Sequence, residues 1–150
     1  MQTLNQIKKG LSDIADAHLQ IRSFGFGDLH EFGTSGTTEY VAMWVDPQPV
    51  VKARSFTKYR MTIYLFDRVL KGEANETEVL SDLIRIAEDV IAEIKHPSWT
   101  WYAELGQEVQ IEYDTERMGD WLGASWFNIE FRLQNPDNRC QIPENSITRF

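Results

Sequence analysis

The sequence predicts a single α+β domain in which one antiparallel or mixed sheet carries two amphipathic helices packed on one face. Three observations predict it. Apolar residues recur at three- and four-residue spacing near the N-terminus and again after position 75, the helical period. Residues 121–133 alternate apolar and polar with period two, as a strand with one buried side does. Strand formers are gathered in 39–46 and 56–66. At 150 residues the chain fits one domain, spanning 1–150 with an irregular tail from 135. A domain of that length buries roughly two-thirds of the surface its unfolded form exposes.

In chain order, Leu4, Ile7, Leu11, Ile14 and His18 place one stripe on a first helix of about five turns, with Lys8, Lys9, Asp13 and Asp16 away from it. The helix should end near Leu19 to Ile21, since Phe24-Gly25-Phe26-Gly27 then alternates with period two. Gly33 to Thr38 is a turn-rich separator. Glu39–Asp46 and Phe56–Phe66 should form a hairpin, with Tyr59, Met61, Ile63 and Leu65 on one face of the second strand. The intervening Pro47–Ser55 is expected to be a loop or a protruding arm.

A second helix is signalled by Asn75 as N-cap with Glu78 three residues on. Val79, Leu80, Leu83, Ile84, Ala87, Val90, Ile91 and Ile94 give it a broad apolar face, and Pro97 forbids continuation. Strands are then expected over Trp99–Glu104, Gln107–Asp114 and Trp121–Leu133. In the last, Ser125, Phe127, Ile129, Phe131 and Leu133 face one way and Asn128, Glu130 and Arg132 the other. The order is α-β-β-β-α followed by two or three strands, the third being Trp99–Glu104.

Composition excludes several function classes. A net charge of −8 is wrong for a surface built to hold duplex nucleic acid, though it suits a wall past which DNA must slide without sticking. Cys140 is the only cysteine, so no internal disulfide forms, which favours a reducing compartment. The N-terminus lacks a signal-peptide layout, and no apolar run approaches the roughly 20 residues that span a bilayer, so a cytoplasmic site of synthesis is expected.

Chemistry is sparse. His18 continues an apolar stripe and reads as a core or boundary histidine. His30 lies between Asp28 and Glu31, but strand alternation would send it to the face opposite Glu31, and no second histidine follows at i+2 or i+4. His96 precedes Pro97 at a helix end, where capping is the simplest role. The glycines match neither phosphate-binding pattern, and Cys140 has no partner motif. No catalytic residue, metal ligand or cofactor is expected. An enzyme or small-ligand reading would require Asp28, Glu31 and Asp114 to converge in a cleft.

Assembly has stronger signals. Lys52, Arg54, Lys58 and Arg60 stand without an acid over 52–60. Seven acids between 73 and 93 (Glu73, Glu76, Glu78, Asp82, Glu88, Asp89 and Glu93) face Arg85 alone. Both runs are consistent with solvated faces. They are also complementary patches on one molecule, which generate a ring when copies meet head to tail and the rotation closes. Trp126 falls on the side of its strand expected to be wet, as an interface anchor would. Free sheet edges offer a further route to pairing between copies.

The leading helix, the long hairpin of Glu39–Asp46 and Phe56–Phe66, the helix from Asn75 and the closing strands ending in Phe127–Leu133 together resemble the tail-terminator and related neck proteins of tailed phages. The resemblance covers nearly the whole chain and is one of element order. It implies a structural virion protein, made in the host cytoplasm, that forms a ring with copies of itself against adjacent connector, portal or tail-tube proteins. It implies a lumen that passes DNA, and an arm near 47–58 that reaches a neighbour. A protein-binding adaptor of a cellular complex is the alternative that the same layout would serve.

Overall fold

The computed structural model describes residues 3–32, 38–69, 75–99, 101–104, 108–115 and 122–134. Helix α1 (Leu4–Ala17) begins at Thr3, whose N–H donates to Gln6 Oε1 at 2.9 Å. It buries Ile7, Leu11, Ile14 and Ala15. Helix α2 (Glu76–Ile94) buries Val79, Leu83, Ile86, Ala87, Val90, Ile91 and Ile94. Leu80 and Ile84, expected on the apolar face, are only partly covered, and Ile86 takes the place at the centre. Asn75 does occupy the N-cap position, but its side chain makes no capping bond to the helix, so the predicted capping box is not formed.

The strands are β1 (Ser23–Phe26), β2 (Ala42–Pro47), β3 (Val51–Lys52), β4 (Phe56–Arg68), β5 (Tyr102–Glu104), β6 (Glu112–Asp114) and β7 (Leu122–Gln134). They form one mixed sheet in the order β1-β2-β4-β7-β5, with β3 on β4 and β6 on β7. Among the described residues β1 with β2 is the one parallel pair, and the others are antiparallel. The fold class is therefore the expected α+β one, with the two-residue β3 added to the predicted order. The closing strands β5 and β6 are shorter than expected, and Cys140 with the tail from 135 lies outside the described residues.

The spine of the sheet is the β4–β7 ladder, paired from Phe56↔Gln134 to Arg68↔Leu122. Thirteen residues at strand rise give it a length of about 40 Å. Alternation along it assigns the faces. Met61, Ile63 and Leu65 of β4 and Phe127, Ile129, Phe131 and Leu133 of β7 join the buried residues of both helices in one core. Ser125, also on this side, is fully buried and donates its hydroxyl to the Leu83 carbonyl at 3.0 Å, which pins α2 to β7.

The opposite face is not uniformly wet. After β1 a 3₁₀ turn (Leu29–Glu31) brings Phe32 onto it. A second, smaller core forms there from Phe32, Ala42, Tyr64, Phe66 and Ala124, bordered by Tyr40, Trp44 and Trp126. Phe32 stacks on Phe66 with ring centroids 4.3 Å apart. This corrects the assignment of 28–31 as extended chain: Asp28 Oδ1 accepts from the His30 N–H at 2.9 Å, and the segment turns. His30 and Glu31 are thus not set on opposite strand faces.

Pro47–Ser55 is not a free arm either. Gln48 N–H donates to Arg60 O, β3 pairs with β4, and Ala53 N–H donates to Phe56 O to close the turn. The register shifts by one residue between Pro47↔Met61 and Val51↔Lys58, a bulge in the β2–β3 side of the hairpin. With β7 paired along the other side of β4, the segment is the end of the sheet.

Candidate assembly surfaces

The far face of the sheet is divided across its length. Toward Arg68 and Leu122 it is covered by the aromatic cluster. Toward Phe56 and Gln134 it carries Phe56, Lys58, Arg60 and Thr62 of β4 opposite Gln134, Arg132, Glu130 and Asn128 of β7. Thr62 Oγ1 donates to Asn128 Oδ1 at 2.7 Å, a cross-strand bond that anchors the middle of this half. Glu130 straddles two cations, Arg60 Nε at 3.4 Å and Lys58 Nζ at 3.7 Å. Lys58 and Arg60, expected to be outward contact residues, are therefore answered first within their own chain.

Lys58 is also directly opposite Arg132 in the ladder. Like charges facing each other across an antiparallel pair are destabilising. Both are drawn over the ring of Phe56, with Arg132 Cζ 4.4 Å and Lys58 Nζ 5.5 Å from its centroid. On β4 and β7 this half-face carries three cations and one carboxylate, and by register the flanking strands add Asp46 opposite Thr62 and Glu104 opposite Glu130. Between it and Gln48-Pro49 lies a depression of about 360 Å³, lined also by Arg60, Asn128 and Glu130. Lys52 and Arg54 are exposed at the adjoining hairpin end, next to exposed Val50 and Val51.

On α2 the acids are outward. Glu78, Asp82, Glu88 and Asp89 are exposed, and Glu76 is partly so. Asp82 is near Arg85 at 3.7 Å, and Arg85 also donates to Gln20 Oε1. Asp89 Oδ2 is 2.9 Å from His18 Nε2, while Gln20 N–H donates to His18 Nδ1. His18 is accordingly a boundary residue joining the end of α1 to the middle of α2. Glu78 and Glu88 have no ion-pair partner among the described residues.

Trp126 is half-buried. It packs near Tyr64 and donates its indole N–H to Glu112 Oε2 at 2.6 Å. The expectation of an open tryptophan anchor is corrected: the aromatic cluster on the far face takes up its ring. His96 meets the helix end through its backbone, whose N–H donates to the Glu93 carbonyl at 3.0 Å, while its ring Nδ1 accepts from Ser98 N–H at 3.1 Å.

A cleft of about 190 Å³ lies between α1 and the stacked indoles of Trp99 and Trp101, floored by Ile7, Gly10 and Leu133. Near β2, burial and the neighbouring Asp28 carboxylate push the Asp46 carboxyl above its usual range, against a backbone hydrogen bond from Leu29 and the charge of His30. Among the described residues no group of three or more histidines, cysteines or carboxylates is placed to hold a metal. No described helix is long and apolar enough to cross a membrane.

The half-face cluster is only partly legible in the sequence. Alternation in 121–133 puts Arg132 on the far face, but nothing local links it to the basic run of 52–60. The pairing of Lys58 with Arg132 depends on a register between segments more than 70 residues apart. A matched count back from the hairpin's alternation and that of 121–133 was the available signal.

No family model matches the sequence, and no curated protein matches it. Among solved structures 23 chains match. One of them is similar over 88% of this chain and 93% of its own length, with 10% identity and a TM-score of 0.45.

Proposed function

We propose that this chain is a structural protein of a tailed phage, which assembles with copies of itself into a ring at the neck or tail end, as a tail terminator or head–tail connector. One observation carries the reading. The basic hairpin end and the first, acidic turns of α2 lie at opposite ends of one long ladder. The Leu83 carbonyl is bonded at Ser125 and Val79 packs near Gly123, so α2 starts beside the Leu122 end. The basic residues sit at the Gln134 end. Lys58 stands seven residues along β4 from Leu65, the partner of Ser125, so the two patches are roughly 20 Å or more apart on opposite faces of the sheet, and head-to-tail contact between copies is the arrangement that brings them together.

The resemblance in element order supplies the setting, and the net charge of −8 is consistent with a lumen that lets DNA pass. Adjacent connector, portal or tail-tube proteins would be the neighbours above and below the ring. The test is direct. Purified protein is imaged by negative-stain electron microscopy, with its mass measured by light scattering. Closed rings of uniform subunit number are expected, and a stable protomer at micromolar concentration rejects the reading.

A further inference from the structure

We propose that Leu19 of one copy inserts between α1 and the Trp99–Trp101 stack of the next, as the apolar anchor of the ring contact. The inference rests on the ring reading and adds to it two surfaces that charge does not describe. Leu19 is 98% exposed, more than any other large apolar side chain among the described residues. An isolated surface leucine is ordinary, but this one stands on a clamped turn. His18 before it meets Asp89 Oδ2 at 2.9 Å, and Gln20 after it accepts from Arg85 at 3.1 Å, both on α2. Gln20 N–H donates to His18 Nδ1, and Ile21 N–H to the His18 carbonyl, which closes the turn that carries Leu19. The knob is thus fixed before a partner arrives, and docking it loses little ordering entropy.

The cleft is fixed as well. Its indoles stack 4.4 Å apart, Trp101 donates to the Ile94 carbonyl at 3.1 Å, and Trp99 donates to Glu93 Oε1 at 3.3 Å. Its volume of about 190 Å³ is below the roughly 300 Å³ at which small-molecule sites begin. It suits one apolar side chain, since an apolar cavity of about 150 Å³ takes up a benzene. The charges that line it, Lys9 and Asp13, pair with each other at 3.3 Å, so the opening favours an apolar group over an ion. Position selects a second copy as the occupant. The cleft runs along Gln6 to Asp13, and Leu19 lies beyond the far end of α1, about 10 Å or more from Gly10 and turned to solvent. A chain therefore cannot fill its own cleft. Leu133 of the cleft pairs with Thr57, next to the basic hairpin end, whereas the Leu19 turn is bonded to the acidic helix. A contact that joins hairpin end to α2 between copies thus brings cleft and knob to the same seam. A knob and a hole on different parts of one molecule make a heterologous contact, the kind that closes into rings.

The test uses two variants at exposed positions. Leu19→Asp removes the knob and leaves the cleft; Lys9→Phe covers the cleft and leaves the knob. Each alone is expected to raise the dissociation constant of the ring about tenfold or more by sedimentation velocity. Mixed in equal amounts they should form one-to-one pairs and nothing larger, because one knob and one cleft remain and neither free end can continue. Should Lys9→Phe fold poorly by circular dichroism, excess Leu19→Asp added to wild-type protein gives the same answer. It offers a cleft without a knob, and should break rings into short capped species. Rings of wild-type stability in Leu19→Asp, or wild-type rings untouched by its excess, overturn the anchor while leaving the ring itself intact. Full rings from the equal mixture, or no association in it, overturn the pairing of these two surfaces. A wild-type chain that never forms rings overturns both readings.

Discussion

At the scale of single residues, the tightest constraint is Gly10. A Cβ built there comes within 2.3 Å and 2.6 Å of two ring carbons of Trp101. That indole has little room to retreat: it stacks on Trp99 at 4.4 Å, meets Phe131 edge-on, and donates to the Ile94 carbonyl at 3.1 Å. Replacing glycine by alanine in a helix interior normally gains about 1 kcal/mol. Overpacking here costs about 1–3 kcal/mol, so the second effect should win. Gly10→Ala is expected to lower the urea midpoint, and an unchanged or higher midpoint would show that the tryptophan pair yields. Asp46 makes a pH prediction. Its carboxyl is raised by burial and by Asp28, so the folded state holds its proton more tightly than the unfolded chain does. Below about pH 4, the ordinary aspartate value, both states are protonated and nothing is lost. As pH rises through the raised folded value, the charged form must be carried in the fold and stability falls. Asp46→Asn should therefore raise the melting temperature at pH 7 and make no difference at pH 3.5. A gain that persists in acid would assign the effect to something other than ionisation.

At the scale of elements, the period of α2 separates residues that look alike in sequence. Ile84 and Ile86 are both isoleucines in a helix rich in apolar residues. Ile86 sits on the stripe with Val79, Leu83 and Val90 and is fully buried, whereas Ile84 is turned partly to solvent. Ile86→Ala is expected to cost about 2–5 kcal/mol in chemical denaturation, and Ile84→Ala distinctly less. Equal losses would mean that the helix is rotated from the orientation described. The same pair shows what was legible in advance. The existence of α2 and its stop before Pro97 follow from local spacing, as do the faces of Phe127, Ile129, Phe131 and Leu133. The rotation of α2 by one position, toward Ile86, depends on what it meets, namely Ser125 and Gly123 of a strand some forty residues later. The parallel pairing of β1 with β2 and the cover that Phe32 gives Phe66 are likewise decided by contacts between distant segments. Alternation marks the far-face residues of β4 and β7 as one side, but it does not say which part of that side a crossover will cover. Trp126 and Arg132 share a face by period; one is drawn into the aromatic cluster and the other is left among cations.

At the scale of the whole molecule, two electrostatic effects oppose each other when copies meet. Bodies of charge −8 about 40 Å apart repel by roughly 6–7 kcal/mol in unscreened water. With a Debye length of about 30 Å at 0.01 M salt, roughly 2 kcal/mol of that survives, and at about 8 Å, near 0.15 M, almost none does. The local pairs between the α2 acids and the cations of the basic hairpin end behave differently. At contact distances of about 4 Å each attracts by about 1 kcal/mol in a watery setting, and a Debye length of 8 Å leaves more than half of it. Near 1 M, where the length is about 3 Å, the pairs are largely silenced too. Ring stability should thus pass through a maximum at intermediate salt and fall toward both extremes. Sedimentation velocity from about 0.01 to 1 M sodium chloride would trace the curve. Assembly that strengthens steadily with salt would point to an apolar contact, such as one through Val50 and Val51 at the hairpin end, and would remove charge pairing from the account.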